Sequence, residues 1–359
     1  MVRVLIVEDS PTVQMLLKAV LESDPAIQVI GIAANGREGL ERAAALKPDL
    51  ITMDIHMPVM DGFEATRRIM EQYPTPIIVV TSSVDSAELP ITFNAIQAGA
   101  LDVIEKPVGF RGQDYESIRE RLTTTVKLMA EVKVIRRRFT TTRPASTAPT
   151  PALPGASRLA AIRGQRTFSL VAIGSSTGGP AALNVLIKAL PTDFPLPVVI
   201  VQHMSAGFMG GLISWLQGES KLPLKMVAQN EPPRPGTIYF APDDTHIELV
   251  GRNLLGLNTG PMINHVRPSV DVLFNSIASY SAAETVAVLL TGMGDDGAVG
   301  LKAIHDRGGL TIAQDEASSV VYGMPKAAAL LGAVDHILPL GQIATILMEI
   351  AEKPLADTA

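Results

Sequence analysis

The sequence predicts an α/β protein with two doubly wound, mainly parallel-sheet domains. Apolar runs of strand length alternate with amphipathic segments over residues 1–110, and a second alternation of this kind begins at Phe168. The chain has 359 residues, of which 47% are hydrophobic. This length is more typical of two domains than of one, and the composition gives each of them enough apolar residues for a core.

The first half contains five strand-like segments separated by helix-like ones. The strands are VRVLIVED (2–9), IQVIGIAA, DLITMD (49–54), PIIVVTSS (76–83) and LDVIEKP. Pro11 lies in the first turn of the first predicted helix, where a missing N–H costs little. Strands and helices in this order predict a parallel sheet, whose ligands bind at the carboxyl ends of the strands.

A compositional change separates the two halves. The pattern is helical from Tyr115 to about Phe139, and residues 140–166 are rich in Pro, Thr, Ala and Ser without an apolar face. Eight Lys or Arg residues and no acidic residue lie between Val132 and Arg166. This segment is either a solvated basic tether or a region that docks onto an acidic surface. We expect a first domain (1–125), a helix extension and linker (126–166), a second domain (167–352) and a tail (353–359).

The second half has the same alternation with one irregular region. The predicted strands are FSLVAIG, PLPVVIVQH, TVAVLLTGMG and LTIAQD, and the predicted helices are PAALNVLIKAL, GFMGGLISWLQ, SVDVLFNSIASY and AVGLKAIHDRGG. The region from Leu224 to Asn258 is rich in strand and turn signals, so we expect antiparallel hairpins there.

Composition and charge exclude several classes of protein. Without cysteine the chain has no disulfide, thiolate zinc site or cysteine nucleophile, which suits a cytoplasmic protein. No apolar stretch approaches the ~20 residues that span a bilayer, so we expect no direct membrane insertion. The formal net charge of −6 does not favour nucleic-acid binding. We expect a monomer.

Charged and polar residues end the strands of the first predicted sheet. Glu8 and Asp9 end the first strand and Asp54 the third, so three carboxylates converge at one edge. Carboxylates this close repel one another unless a cation binds, and their oxygens suit Mg²⁺. Thr81 and Lys106 end the fourth and fifth strands, where a hydroxyl and an ammonium could stabilise an aspartyl phosphate.

With these residues, positions 1–110 resemble the receiver domains of two-component signalling, which are flavodoxin-like. The resemblance implies that Asp54 accepts a phosphoryl group, which Thr81 and Lys106 bind. It also implies that the side chains of Glu8, Asp9 and Asp54 and the backbone carbonyl of His56 hold Mg²⁺. One position departs from the pattern, because Val103 stands where many receivers have a switch aromatic.

A glycine-rich turn follows the first strand of the second domain. Gly174-x-Ser176-x-Gly178 matches a nucleophile elbow, in which glycines permit a tight turn from strand to helix and leave the serine hydroxyl exposed. Backbone N–H groups at the helix start can stabilise an oxyanion. Serine is also a common helix N-cap, so this pattern alone leaves both roles open.

A base and an acid are predicted at the same edge as Ser176. His203 ends the strand PLPVVIVQH, and Asp295 and Asp296 follow TVAVLLTGMG. Ser, His and Asp from three strand ends of one sheet can therefore meet in space as a triad.

Two other histidines compete with His203 as the base. His246 lies in a predicted hairpin, where we expect a paired surface imidazole. His265 lies in the loop GPMINHVRPSVD, could line a substrate cleft, and is the second choice for the base.

The motifs AIGSSTGGP, QHM, APDD, RPSVD and LTGMGDDGA, behind a receiver, resemble the chemotaxis protein-glutamate methylesterases. The resemblance assigns the nucleophile, base and acid to Ser176, His203 and Asp296. It places Thr177 and Met293 in the cleft, with Met293 a candidate for the oxyanion site.

The resemblance implies hydrolysis of γ-glutamyl methyl esters on methyl-accepting chemotaxis receptors, and deamidation of receptor glutamines, without a catalytic cofactor. It also implies phosphorylation by the chemotaxis histidine kinase, which relieves a block of the cleft by the receiver. Two alternatives are a nucleotide-binding and a DNA-binding output domain. GSSTGG is not G-x-G-x-x-G, and the second half has neither a compact helix-turn-helix nor a basic recognition helix.

Overall fold

The structure is a computed structural model that describes residues 1–81, 89–107, 113–132, 134 and 167–351. Outside these ranges lie the predicted linker (140–166) and the tail (353–359). The eight basic residues between Val132 and Arg166 also lie outside them. The chain divides into two compact units, and it contains two parallel sheets, as the sequence predicted.

The first parallel sheet has five strands in the order β2-β1-β3-β4-β5, with every pair parallel. Its elements are β1 (Val2–Val7), α1 (Pro11–Glu22), β2 (Ile27–Ala33), α2 (Gly36–Leu46), β3 (Leu50–Met53), α3 (Gly62–Gln72), β4 (Ile77–Thr81), α4 (Leu89–Ala98), β5 (Asp102–Glu105) and α5 (Gln113–Ala130). The five strands are those that the sequence predicted. The central residues of β1, β3, β4 and β5 are buried, which explains the continuous apolar runs of these strands, whereas those of the edge strand β2 are half-buried.

Local signals start the helices of this unit. Pro11 occupies the beginning of α1. The Asn35 side chain accepts a hydrogen bond from Glu38 N (3.0 Å) and donates to the Glu38 carboxylate (2.9 Å), so α2 begins with a reciprocal cap. The Asp61 carboxylate accepts from Glu64 N at 2.8 Å and caps α3.

The last helix of this unit is shorter than predicted. We expected a helical segment from Tyr115 to about Phe139, but α5 ends at Ala130, and Glu131, Val132 and Val134 are not helical. Residues 135–139 lie outside the described ranges.

The second parallel sheet has seven strands in the order β14-β13-β12-β6-β7-β9-β8, again all parallel. The elements from residue 170 onward are β6 (Leu170–Ser175), α6 (Gly179–Ala189), β7 (Val198–Gln202), α7 (Met209–Glu219), β8 (Leu224–Met226), β9 (Ile238–Phe240), β10 (His246–Val250), β11 (Leu254–Asn258), α8 (Val270–Tyr280), β12 (Thr285–Leu289), α9 (Ala298–Asp306), β13 (Leu310–Gln314), α10 (Met324–Leu330), β14 (His336–Leu338) and α11 (Leu340–Ala351).

The strand-rich region from Leu224 to Asn258 divides between two sheets. Its last two strands, β10 and β11, form the expected antiparallel hairpin. The first two, β8 and β9, are parallel to each other, and β9 extends the main sheet beside β7. The sequence signals therefore located the strands but did not distinguish a hairpin from a parallel extension.

Helices α8 and α9 pack against each other on one face of the larger sheet. Phe274 and Ile277 of α8 share one buried cluster with Leu301 and Ile304 of α9. At Gly300 a Cβ atom would lie 2.6 Å from Cβ of Phe274, so glycine permits the close approach of the two helices. Their amino termini consequently meet at the candidate site. No helix in the described part of the chain is long and apolar enough to cross a bilayer.

Candidate active site

Three neighbouring strands of the larger sheet bring the predicted triad together. In the order β12-β6-β7, Leu289 pairs with Gly174 and Ser175 pairs with Gln202. Ser176 and His203 therefore follow directly after a paired position, and Ser176 N donates to Thr291 O (3.0 Å) in the loop after β12. The same loop carries Asp296.

The turn that carries Ser176 needs glycine at its helical end. Gly178 has φ +77°, a left-handed conformation that is costly for other residues. At Gly179, the first residue of α6, a Cβ would lie 1.9 Å from the Gln202 side-chain oxygen. Ser176 is half-buried, and Thr177 is buried. The turn thus holds Ser176 at the amino terminus of α6, whose dipole favours negative charge.

Gln202 joins the turns that carry the serine and the histidine. Its buried amide donates to the backbone carbonyls of Ser176 and His203, both at 2.8 Å, and accepts from Ser175 Oγ at 2.6 Å. A buried amide with these bonds satisfied fixes the spacing of the two turns.

His203 and Asp296 form a direct hydrogen bond. Nε2 of His203 lies 2.8 Å from Oδ2 of Asp296. With Nε2 donating to the carboxylate, Nδ1 carries the lone pair of the neutral imidazole and is the nitrogen that can accept a proton. This use of the two nitrogens is the reverse of that in the serine-protease triad, where Nδ1 faces the aspartate.

The Asp296 carboxylate is buried among hydrogen-bond donors. Besides His203, it accepts from Ser269 Oγ (2.7 Å), Val270 N (2.6 Å) and Asn264 Nδ2 (3.0 Å). Burial disfavours the charged form, but the bonds from His203, Ser269 and Val270 outweigh it and hold the pKa of Asp296 below its usual value. Asp296 is therefore suited to remain ionised and to orient an imidazole.

Asp295, His265 and His246, the alternatives to Asp296 and His203, lie in environments that differ from those of the predicted pair. Asp295 is exposed, whereas Asp296 is only 4% exposed. His265 lies on an exposed turn with φ 63°. His246 is paired, as expected, but the prediction that it lies at the surface is wrong, because it is buried: Nε2 donates to Pro261 O and Nδ1 accepts from Ser269 N, both at 3.0 Å. These bonds occupy both nitrogens of His246.

Met293 follows a residue that lies directly against the serine. A Cβ atom on Gly292 would lie 2.8 Å from Cβ of Ser176, so the chain passes Ser176 closely at this point. Thr291 fastens this loop by donating to Thr177 O at 3.0 Å and accepting from Val321 N at 2.9 Å. Met293 itself is half-buried beside the turn.

The receiver residues converge at the carboxyl edge of the smaller sheet. Lys106 Nζ lies 2.8 Å from Oε2 of Glu8 and 3.0 Å from Oδ2 of Asp54. One carboxylate oxygen from each of Glu8, Asp9 and Asp54 lies within 4.8 Å of the others, and Asp9 is exposed. Three hard oxygen donors at this spacing, open to solvent on one side, fit a Mg²⁺ ion.

Burial and charge act against each other in this cluster. Burial raises the pKa of Glu8 and of Asp54 despite the neighbouring Lys106 ammonium. Burial alone would lower the pKa of Lys106, but its bonds to Glu8 and Asp54 raise it, so the ammonium stays charged. Thr81 is buried at the end of β4, His56 is exposed, and Val103 is buried in β5.

Sequence reasoning missed several residues that shape the catalytic centre. Gln202 had a usable signal, since it is a polar residue at the end of an otherwise apolar strand. Ser269 had a weaker one, as the N-cap of α8 in RPSVD. Asn264 and Thr291 had no signal that separates them from ordinary loop residues.

Comparisons with known proteins agree with both domains. Residues 4–112 match the response regulator receiver domain family, and residues 171–347 match the CheB methylesterase family. A protein-glutamate methylesterase/protein-glutamine glutaminase from Syntrophus aciditrophicus is 46% identical over 98% of this chain and 99% of its own length. One from Nitrosospira multiformis is 44% identical over 98% of both chains.

A solved structure adds a match for the second domain. The crystal structure of the CheB methylesterase catalytic domain of Thermotoga maritima covers 51% of this chain and 99% of its own, with 40% identity and a TM-score of 0.50. These matches do not favour a nucleotide-binding or DNA-binding output domain. The chain therefore belongs to the protein-glutamate methylesterase/protein-glutamine glutaminase family, with a receiver domain followed by a CheB methylesterase domain.

Proposed function

We propose that this protein hydrolyses γ-glutamyl methyl esters on methyl-accepting chemotaxis receptors, leaving glutamate and releasing methanol. The observation that carries the proposal is the 2.8 Å bond between His203 Nε2 and the buried Asp296, one strand from Ser176. An oriented base next to a serine in a tight turn is the arrangement that acyl transfer requires. The relatives are named as protein-glutamate methylesterases, which supports the substrate class.

In the first half-reaction, Ser176 Oγ attacks the ester carbonyl carbon while its proton passes to Nδ1 of His203. The carbonyl electron pair moves to oxygen, and we place this oxyanion near the backbone N–H of Thr177, the start of α6 and Met293. The C–OCH₃ bond then breaks, and the imidazolium gives its proton to the methoxide oxygen, which forms methanol. Asp296 stabilises the imidazolium throughout.

In the second half-reaction, water attacks the acyl-enzyme. His203 Nδ1 accepts a proton from the water as its oxygen bonds to the acyl carbon. The bond to Ser176 Oγ breaks, and the proton returns to that oxygen, which restores the enzyme and frees a carboxylic acid. This acid then releases its proton to solvent and becomes the carboxylate. Glutamine enters the same sequence with ammonia as the leaving group, so glutaminase activity needs no further residue and no catalytic cofactor.

The receiver supplies the regulation in this proposal. Glu8, Asp9, Asp54 and the backbone carbonyl of His56 would hold Mg²⁺, which neutralises charge during phosphoryl transfer when it is bound. Asp54 accepts the phosphoryl group from the chemotaxis histidine kinase, and Thr81 and Lys106 bind its oxygens. The kinase and the receptor signalling regions place this chain in the cytoplasm.

A direct assay tests the proposal. Purified full-length protein, activated with Mg²⁺ and beryllofluoride, is mixed with a methylated receptor fragment, and methanol and free carboxylate are measured. We expect both products in equal amounts and neither from Ser176→Ala. Absence of methanol from the folded, activated wild type would refute the methylesterase function.

A further inference from the structure

A tight turn at residues 263–266 contacts Asp296, although this turn does not belong to the segments that carry the triad. Ile263 and Val266 exchange backbone hydrogen bonds at 3.2 and 3.0 Å, and the two residues between them, Asn264 and His265, have φ values of 52° and 63°. Positive φ at both central positions is the geometry of a type I′ turn, in which asparagine is favoured. The backbone thus presents the Asn264 side chain in one defined direction.

The Asn264 amide bridges two buried carboxylates. Nδ2 lies 3.0 Å from Oδ1 of Asp296 and 3.0 Å from Oδ2 of Asp271, so each of its two protons has an acceptor. Asp296 and Asp271 are 4% and 5% exposed. The second oxygen of Asp296, Oδ2, is the one bonded to His203.

We infer that Asn264 is a positioning residue for hydrolysis: by donating to both carboxylates, it holds Asp296 with Oδ2 directed at Nε2 of His203. The inference rests on the proposed function of Ser176, His203 and Asp296. Asn264 touches neither the substrate nor the reacting atoms in this role. It acts through the orientation of the acid.

A neutral donor suits this position better than a cation would. Asp296 must keep enough negative charge to stabilise the imidazolium of His203, and a lysine or arginine at Oδ1 would offset that charge. An amide fixes the carboxylate plane without adding charge. The amide also donates a hydrogen bond to an oxygen of Asp271. This bond offsets the repulsion between the Asp271 and Asp296 carboxylates.

Two substitutions separate this role from support of the turn. Asn264→Gly keeps the left-handed backbone and removes both donors, and Asn264→Asp keeps the side-chain size but replaces the donors with a third carboxylate. If Asn264 only supports the turn, glycine serves as well as asparagine, because it adopts positive φ without strain. The matched control is Asn230→Gly, at another exposed asparagine with φ 56°.

Steady-state kinetics of the activated full chain give the first test. We expect Asn264→Gly to lower kcat about 10- to 100-fold, the loss that accompanies removal of one hydrogen bond to a charged group. KM should change by less than about threefold, because substrate contacts are intact. Asn264→Asp should be worse than Asn264→Gly, and Asn230→Gly should match the wild type. A kcat of Asn264→Gly within twofold of the wild type overturns the inference.

A second readout needs no substrate and therefore separates this inference from the proposed function. The proton between His203 Nε2 and Asp296 should give a downfield ¹H resonance that disappears in His203→Ala. We expect Asn264→Gly and Asn264→Asp to shift or broaden it, with Asn230→Gly unchanged. If the resonance is identical in the folded Asn264 variants, Asn264 does not position the acid. If the wild type shows the resonance but releases no methanol, the proposed function fails instead.

Discussion

Asp271 and Asp296 each bind the amino terminus of the helix to which the other belongs. Asp296, just before α9, accepts hydrogen bonds from Val270 N (2.6 Å) and Asp271 N (3.4 Å) at the start of α8. Asp271, in the first turn of α8, accepts from Gly300 N (2.6 Å) in the first turn of α9. Each carboxylate is stabilised by the opposite helix dipole, so the packing of α8 against α9 and the placement of Asp296, the proposed catalytic acid, are one arrangement.

Asp271→Ala should destabilise the catalytic domain by about 2 kcal/mol, because it leaves Gly300 N without an acceptor and one of the two Asn264 amide protons unpaired. It should also lower turnover, since the support of Asp296 changes with it. The measurement is urea unfolding of a fragment from residue 160 to the end, followed by circular dichroism. Asp193→Ala, at an exposed carboxylate, is the control and should fall within about 0.5 kcal/mol of the wild type. Equal stability of Asp271→Ala and the control would contradict the reciprocal capping.

Ser176→Ala should abolish ester hydrolysis, and His203→Ala should do nearly as much damage, because triad members act as a unit. Asp296→Asn should keep the fold, at lower stability because its NH₂ group faces hydrogen-bond donors, and it should lose about 10³-fold or more in kcat, since an amide permits the wrong imidazole tautomer. Methanol release from a methylated receptor fragment measures all three variants. If His265→Ala is inactive while His203→Ala is active, the base has been assigned to the wrong histidine.

The two adjacent aspartates should respond differently to the same substitution. Asp295 is exposed, whereas Asp296 is bonded to His203. Asp295→Ala should therefore retain most of the wild-type kcat, and Asp296→Ala should lose nearly all of it. Comparable losses in the two variants, at equal thermal stability, would mean that the conformation of the glycine-rich loop matters more than one carboxylate.

Phosphorylation should raise the activity of the full chain. The composition of residues 140–166 predicts a flexible tether, which would keep the receiver at high effective concentration near the catalytic domain, so even a weak inhibitory contact would be effective. The phosphoryl group can relieve inhibition only if it favours a different state. We expect a fragment from about residue 160 to exceed the unphosphorylated full chain, and beryllofluoride with Mg²⁺ to activate the full chain but not Asp54→Asn. With Val103 in place of an aromatic, we expect coupling through Thr81 and the loop after it.

Steady-state methanol release is measured for the fragment, the full chain and Asp54→Asn, the full chain and the variant each with and without beryllofluoride. These rates test whether the receiver inhibits the catalytic domain. A fragment less active than the unphosphorylated full chain, or a full chain that does not respond to beryllofluoride, would show that the receiver does not inhibit.

Asp102 should make the receiver less stable as the pH rises from about 4 to 6. Burial raises the pKa of Asp102 from 3.8 to about 6, although the charge of Arg121 opposes this. In this window the folded domain keeps a proton that the unfolded chain has released, so stability falls until the pH exceeds the folded pKa. Asp102→Asn should therefore stabilise the receiver by about 2–3 kcal/mol at pH 8 relative to its effect at pH 4.

Urea unfolding of a receiver fragment at both pH values measures this difference. Glu22→Gln removes an exposed acid and serves as the control. A stability difference between Asp102→Asn and the wild type that does not change with pH would show that burial does not perturb this carboxyl.

The amino-acid pattern alone predicted the two parallel sheets and the strands that end one residue before Ser176, His203, Asp54 and Lys106. Apolar runs mark buried strands, and a parallel topology places the carboxyl ends of these strands at one edge. Residues that are distant in the sequence could therefore be predicted to lie close together. The glycines around Ser176 were also visible, because a left-handed turn and a close approach both demand glycine.

The hydrogen bonds that hold Asp296, the proposed catalytic acid, and the imidazole nitrogen that it binds could not be predicted without the tertiary contacts. The supporting bonds come from Asn264 and Ser269, in a loop that returns to the sheet edge from the β10–β11 hairpin. The path of that loop, like the burial of His246, depends on packing between distant segments. Strands can be located because their backbone repeats regularly and their apolar residues follow one another in the sequence. An irregular loop has no such period, so its contacts form only when the helices and the sheet that it connects have packed.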